Sequence, residues 1–212
     1  MTMKRTVVDI ETVGQPLSAV DERFHDKLLG WFDPGPAGTE MDDERRREAE
    51  RRFSLWGPTG QVIVIGMHNP DSEKSKVLAS DDEAGLLREF WGLVKAFDLT
   101  ITFNGKQFDY PYLKMRSAIQ GVVPSLALDC RRFTRHPHYD LREVLSNFGA
   151  WRHGSLDFYC SIFGIASPKQ ALSGDKVGEA YAQGRLQEIA DYCQADVEAT
   201  GALYMRVKEA MA

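Results

Sequence analysis

The chain has 212 residues, 43 % apolar and 27 % charged, with a formal net charge of −5 that argues against a protein coating a long polyanion and for one that grips a short end. That length suits one domain with a full core, and no stretch approaches the ~20 apolar residues of a membrane helix. The opening MTMKRTVVDIET carries no apolar signal-peptide core, and the odd, scattered Cys130, Cys160 and Cys193 exclude a disulfide framework or a CxxC zinc site, so a reducing cytoplasm is expected.

Residues 6–10 read as a short buried strand rich in β-branched side chains. Residues 14–60 read as an insertion before the next strand. They hold Phe24, Leu28, Leu29, Trp31 and Phe32, then the breaker run DPGPAG, then a charged helix over about 40–53 for which Thr39 is the expected N-cap. Arg45 to Arg52 are interleaved with Glu44, Glu48 and Glu50, a pattern of i,i+4 pairs before it is a nucleic-acid contact. Residues 61–67 and 76–80 form a strand pair joined by the turn NPDSE. Ser80-x-x-Glu83 has the form of a capping box, and the helix it opens puts Leu86, Leu87, Phe90, Trp91, Val94 and Phe97 on one face. Residues 99–103 are a strand, a helix follows from about Phe108 with Pro111 in its first turn, and residues 125–129 are the expected edge strand. From Asp140 the chain is helical in character, with a last helix from about Arg185. Strands early and helices late, without repeat or linker, predict one layered α/β domain over 1–212.

Three acidic motifs stand out on this frame. Asp9 and Glu11, two apart on the first strand and expected at its end, face the same way. Two carboxylates so close repel unless a cation joins them, and hard oxygen donors suit Mg²⁺ or Mn²⁺. A D-x-E pair of this kind is commonly only a solvated turn. Asn104-Gly105-Lys106-Gln107-Phe108-Asp109 puts an acid at a strand-to-helix junction, where open α/β sheets bind ligands; a simple cap reads equally well. Tyr192 and Asp196 share a face of the last helix at i and i+4, next to its packing face. The five histidines show no HxxH or HExxH spacing, so no zinc protease site is expected.

In this order the motifs D-x-E, N-x-x-x-F-D and Y-x-x-x-D resemble those of the DEDD exonucleases. Tyr192, four residues before Asp196, resembles the branch that carries a tyrosine, where sister enzymes carry a histidine five residues before. The chain is similar to the stand-alone predicted 3′–5′ exonucleases related to the exonuclease domain of family-B DNA polymerases. The likeness is closest at residues 7–12, 101–113 and 191–200, with about 14–60 unmatched. The resemblance implies a ribonuclease-H-like mixed five-stranded sheet flanked by helices, with the first strand central. It implies two divalent ions, Mg²⁺ or Mn²⁺: Asp9 bridging both, Glu11 and Asp196 on one, and Asp109 serving the other mainly through water or substrate. Tyr192 would orient the attacking water; the backbone at Ile10 and Thr12 would hold the 3′-hydroxyl. Asn104 would meet the penultimate nucleotide, Phe108 would stack on an end base, and Lys169 would steady the scissile phosphate. The basic residues Arg131, Arg132, Arg135, His136 and His138 are the expected contacts to the strand beyond the site, with a solvated edge as the plain alternative.

The expected activity is stepwise release of nucleoside monophosphates from single-stranded or frayed 3′ ends, DNA first. RNA trimming by the same chemistry is the alternative, and a non-catalytic nucleic-acid-binding accessory protein ranks last. No membrane partner is expected.

Overall fold

A computed structural model describes residues 3–33, 35–36, 39, 41–167 and 172–211. Its centre is β1 (Arg5–Gly14), which pairs antiparallel with β2 (Gly60–Asn69) on one side and parallel with β4 (Leu99–Thr102) on the other. The hairpin partner β3 (Lys74–Ala79) and the short β5 (His138–Asp140) form the two edges, giving the order β3-β2-β1-β4-β5. The sheet is therefore mixed and five-stranded with β1 in the middle, as expected.

Alternation along β1 sorts its side chains onto two faces. Val8 and Ile10 enter a core with α3 (Glu83–Val94) and α4 (Asp109–Ile119), where Leu87, Phe90, Trp91 and Leu113 are fully or nearly buried. Each such side chain contributes roughly 1.5–3 kcal/mol by leaving water. The opposite face carries the long α8 (Leu186–Val207), with α5 (Leu141–Leu145), α6 (Leu156–Phe163) and α7 (Val177–Ala182) around it. On that face Val7 joins one apolar cluster and Val13 another, and the two residues between them are Asp9 and Glu11. The acids thus sit in a polar gap in an otherwise apolar surface beneath α8.

Between β1 and β2 the chain forms α1 (His25–Phe32) and α2 (Asp43–Arg51) with short 3₁₀ turns. Leu17, Leu28, Leu29, Ala49 and Phe53 form a small cluster of their own there. The 3₁₀ turn Arg52–Leu55 is tied to the sheet by Thr12 Oγ1, which donates to the Ser54 carbonyl at 2.8 Å.

Several sequence expectations are corrected. Residues 125–129 are not a strand: the Tyr110 hydroxyl donates to the Leu126 carbonyl and accepts from Leu128 N–H, so this segment's polar groups are met by a side chain. The edge position goes to His138–Asp140, paired with β4. Helix α2 is capped by Asp42, which accepts from Arg45 N–H at 2.8 Å; Thr39 instead hydrogen-bonds the Pro36 carbonyl and the Arg45 side chain. Helix α3 is capped by Asp82, not Ser80, and Glu83 turns inward. There its carboxylate takes Val62 N–H and an ion pair with the buried Arg116 at 2.6 Å. Finally, β1 does not stop at the acids but runs on to Gly14.

Candidate active site

The register explains why β1 opens where the acids lie. Its pairing with β4 ends at Val7↔Ile101, so Asp9 and Glu11 lie beyond the reach of that neighbour. The antiparallel register with β2 shifts between Glu11 and Thr12, an irregularity that bends and twists the strand locally. Past β4 the chain turns through Asn104, in the left-handed region at φ 73°, and enters α4 at Asp109. Asp109 is nearly buried, and the backbone N–H groups of Ile10 and of its own residue act to lower its pKa. The second motif is thereby docked onto the first.

From the other side α8 lies close over β2. Gly66, the partner of Asp9 in the ladder, permits this: a Cβ there would sit 2.9 Å from Cys193 Sγ and 3.0 Å from a Val197 methyl. The Cys193 thiol lies 3.7 Å from an Asp9 carboxylate oxygen, and one ligand atom each from Asp9, Glu11 and Cys193 falls within a 4.8 Å span. Asp196, one turn from Tyr192, completes the group, and the Tyr192 hydroxyl hydrogen-bonds it.

The electrostatics show three desolvated carboxylates with the charge of Asp196 acting on each of them. Burial pushes Asp9 well above the usual carboxylate range, and the charges of Asp109, Glu11 and Asp196 push it further. Glu11 is raised in the same way by burial, then by Asp196 and Asp109. Burial lifts Asp109 to about 7, against the pull of its backbone donors. The Tyr192 phenol is raised by burial and by the acids around it, so it stays protonated. Cys193 is also raised by burial and the same acids. A thiol held protonated is a poor metal ligand, which leaves a set of hard oxygen donors. Crowded anions, with no cationic side chain acting on Asp9, Glu11 or Asp109 among the described residues, fit hard divalent cations.

The remaining site residues fall differently. Phe108 is partly buried against the α3–α4 core, its ring 5.4 Å from that of Tyr112. Asn104 stands at the mouth of the site, its side-chain oxygen accepting from Arg142. The Ile10 backbone N–H acts to lower the Asp109 pKa, and Thr12 donates its hydroxyl to the Ser54 carbonyl. Lys169 lies outside the described residues. His138 is corrected most plainly: it is fully buried in β5 and bonded to Thr102, out of reach of any strand.

Sequence reasoning passed over Asp140. Its two oxygens accept from Asn104 N–H, Lys106 N–H and Arg142 N–H, each at 3.0 Å, and so clamp the turn that delivers Asp109. An acid just before a helix was the available signal. Gly66 was also missed, though a glycine inside the strand-like run QVIVIGM marks a close approach.

The chain is similar to known proteins in sequence and in fold. A family model described as “Predicted 3'-5' exonuclease related to the exonuclease domain of PolB” matches residues 59–212. The chain belongs to this family. The matched range begins after β1 and so contains Asp109, Tyr192 and Asp196 but not Asp9 or Glu11. Among curated relatives, the DNA polymerase of Thermococcus gorgonarius is 29 % identical over 154 residues, covering 65 % of this chain and 19 % of the polymerase. That of Desulfurococcus sp. strain Tok is 26 % identical over 200 residues, covering 80 % of this chain and 26 % of the polymerase. The chain of this predicted exonuclease thus spans about a quarter or less of the length of these relatives. The family B DNA polymerase of Pyrobaculum calidifontis superimposes with a TM-score of 0.67 over 98 % of this chain and 25 % of its own, at 17 % identity, a likeness of fold. No helix among the described residues is long and apolar enough to cross a membrane.

Proposed function

We propose that this protein is a metal-dependent exonuclease that releases nucleoside monophosphates from the 3′ end of single-stranded or frayed nucleic acid, with DNA as the first substrate. The observation that carries the reading is the meeting of the desolvated Asp9, Glu11 and Asp109 with Asp196 and Tyr192, from three distant segments, in one anionic space. Such a space is costly to fold empty, which favours a site built for cations.

Asp9 would hold both of two Mg²⁺ or Mn²⁺ ions, Glu11 and Asp196 one of them, and Asp109 the other. When bound, the pair supplies charge neutralisation at the scissile phosphate and a lowered pKa for a water molecule. The chain's own residues do the rest. Tyr192, kept protonated and hydrogen-bonded to Asp196, orients the attacking water rather than stripping it. Asp140 holds the Asn104 turn, and thereby Asp109, in register with β1. The backbone at Ile10 and next to the register shift at Thr12 would position the terminal 3′-hydroxyl. Phe108, packed against the core, has no base-stacking part in this scheme.

End-labelled single-stranded DNA, duplexes with recessed or protruding ends, and RNA, each incubated with Mg²⁺ or Mn²⁺, test the reading. Stepwise shortening from the 3′ end is expected, and Asp9→Ala should abolish it in either metal. Internal cuts, release from the 5′ end, or full activity in Asp9→Ala would defeat it.

A further inference from the structure

Beside the acidic site lies a groove of opposite charge. Two adjoining cavities of about 450 and 410 Å³ share Asn104, Arg142 and His153 in their linings and flank the Asn104 turn. One is lined also by Arg132, the other by Ser155. Arg142 donates through Nη1 to the Asn104 side-chain oxygen and lies 2.7 Å from His153 Nδ1 through Nη2. The carboxylate of this lining, Glu143, is held by Lys106 Nζ at 2.8 Å. Among the described residues neither Arg132 nor Arg142 forms an ion pair, so the groove keeps its positive charge in a chain whose net charge is −5.

The backbone around the groove is strained. Of the five non-glycine residues with positive φ among the described residues, Asn104 and Phe148, at φ 73° and 55°, line it, and Phe133 and Asn147, at 71° and 49°, are chain neighbours of its lining residues Arg132, Ser146 and Phe148. Such conformations persist where the surroundings impose them, and they cluster at ligand clamps. Arg132 donates through Nη2 to the Phe148 carbonyl at the groove wall and keeps its other N–H donors, whereas the other basic residues nearby are turned elsewhere. Arg131 pairs with Asp129 at 2.8 Å, Arg135 donates to the Met211 carbonyl, and His138 is buried.

We propose that this groove is a track for the sugar–phosphate backbone of a polynucleotide, a few nucleotides inside its 3′ end, with Arg142 and Arg132 as its phosphate contacts. A guanidinium has five N–H donors in a planar fork, so Arg142 can keep Asn104 in place and still present donors to a phosphate. The direction of the strand rests on the 3′-exonuclease reading of the acidic site. The track explains how an acidic protein engages a polyanion: contact is confined to one short basic groove next to the site.

The test is fluorescence anisotropy with 5′-labelled decathymidylate and trithymidylate, each closed by a 3′ phosphorothioate linkage to block hydrolysis, in Mg²⁺ over a salt series. The Arg132→Ala/Arg142→Ala double variant should bind the decamer about ten-fold more weakly and lose about 1.4 from the slope of log affinity against log salt, roughly 0.7 per phosphate on a single strand. Trimer binding should stay within about two-fold in Arg132→Ala alone, which leaves Arg142 on Asn104, and Arg132→Lys/Arg142→Lys should recover most of the slope. Unchanged decamer affinity and slope in the double variant, or an equal loss on trimer and decamer in Arg132→Ala, overturns the track. Wild-type protein that binds the decamer through these arginines but shortens no strand supports the track and removes the exonuclease reading instead.

Discussion

At the scale of single residues, Asp9 carries conflicting demands. Its carboxylate is desolvated and faces three others, so its folded pKa lies well above the usual range. The raised folded value means that its neutral form favours folding, and that ionisation as pH rises works against the metal-free protein. Asp9→Asn should therefore stabilise the metal-free chain by about 0.5–2 kcal/mol while removing activity. Thermal melts in EDTA beside a digestion assay check this; a lower melting temperature in the variant contradicts the repulsion argument. Tyr192 makes the complementary prediction. With its phenol protonated and bonded to Asp196, Tyr192→Phe should cut kcat by about 10–100-fold and leave KM within a few-fold, since water positioning matters only in the transition state. A rise in KM at constant kcat means that the hydroxyl binds substrate instead.

At the scale of elements, the site depends on how closely α8 approaches the sheet. Gly66 sets that distance, since any Cβ there meets Cys193 Sγ at 2.9 Å and the Cys193 carbonyl at 3.2 Å. Gly66→Ala should lift α8 from β2, costing about 1–3 kcal/mol through overpacking and moving Tyr192 and Asp196 away from Asp9. Urea unfolding and turnover measured on the same preparation should fall together, and wild-type values for both would show that the helix yields freely. The turn from β4 to α4 is set by Asp140 in a similar way, because one carboxylate meets four backbone donors. Both devices act by bringing backbone segments together, and neither is one of the four clustered acids.

For the molecule as a whole, two buried titrations pull stability in opposite directions with pH. Burial, reinforced by Lys106, lowers the His138 imidazole to about 3, while an unfolded histidine titrates near 6.5. Between these values the unfolded chain binds a proton that the folded one does not. The stability His138 contributes is present above about pH 6.5 and is lost as pH falls, at up to about 1.4 kcal/mol per unit. The acidic cluster, raised in the fold, runs the other way: Asp109, at about 7, favours folding most at low pH. The difference between wild-type and His138→Gln unfolding curves isolates the first effect. Wild type should lose more stability than the variant from pH 7 to 5, and parallel curves would rule the buried histidine out as an acid sensor.

The sequence by itself determined the elements and the acids. Strong period-two and period-3.6 patterns marked β1, β2, β4, α3 and α8, because burying one face demands that spacing locally. The three motifs were legible because residue type and order alone carry them. Only the tertiary structure decided what depends on partners far along the chain. The edge strand went to His138–Asp140 because Tyr110 satisfies residues 126–128 from another helix. Glu83 left its capping role for Arg116, thirty-three residues away. Of the basic run, His138 was drawn into the sheet, while Arg142 was placed beside Asn104. Local pattern reports which face of a segment avoids water; it does not report which distant group will meet a carboxylate or a guanidinium, because that choice is made by packing.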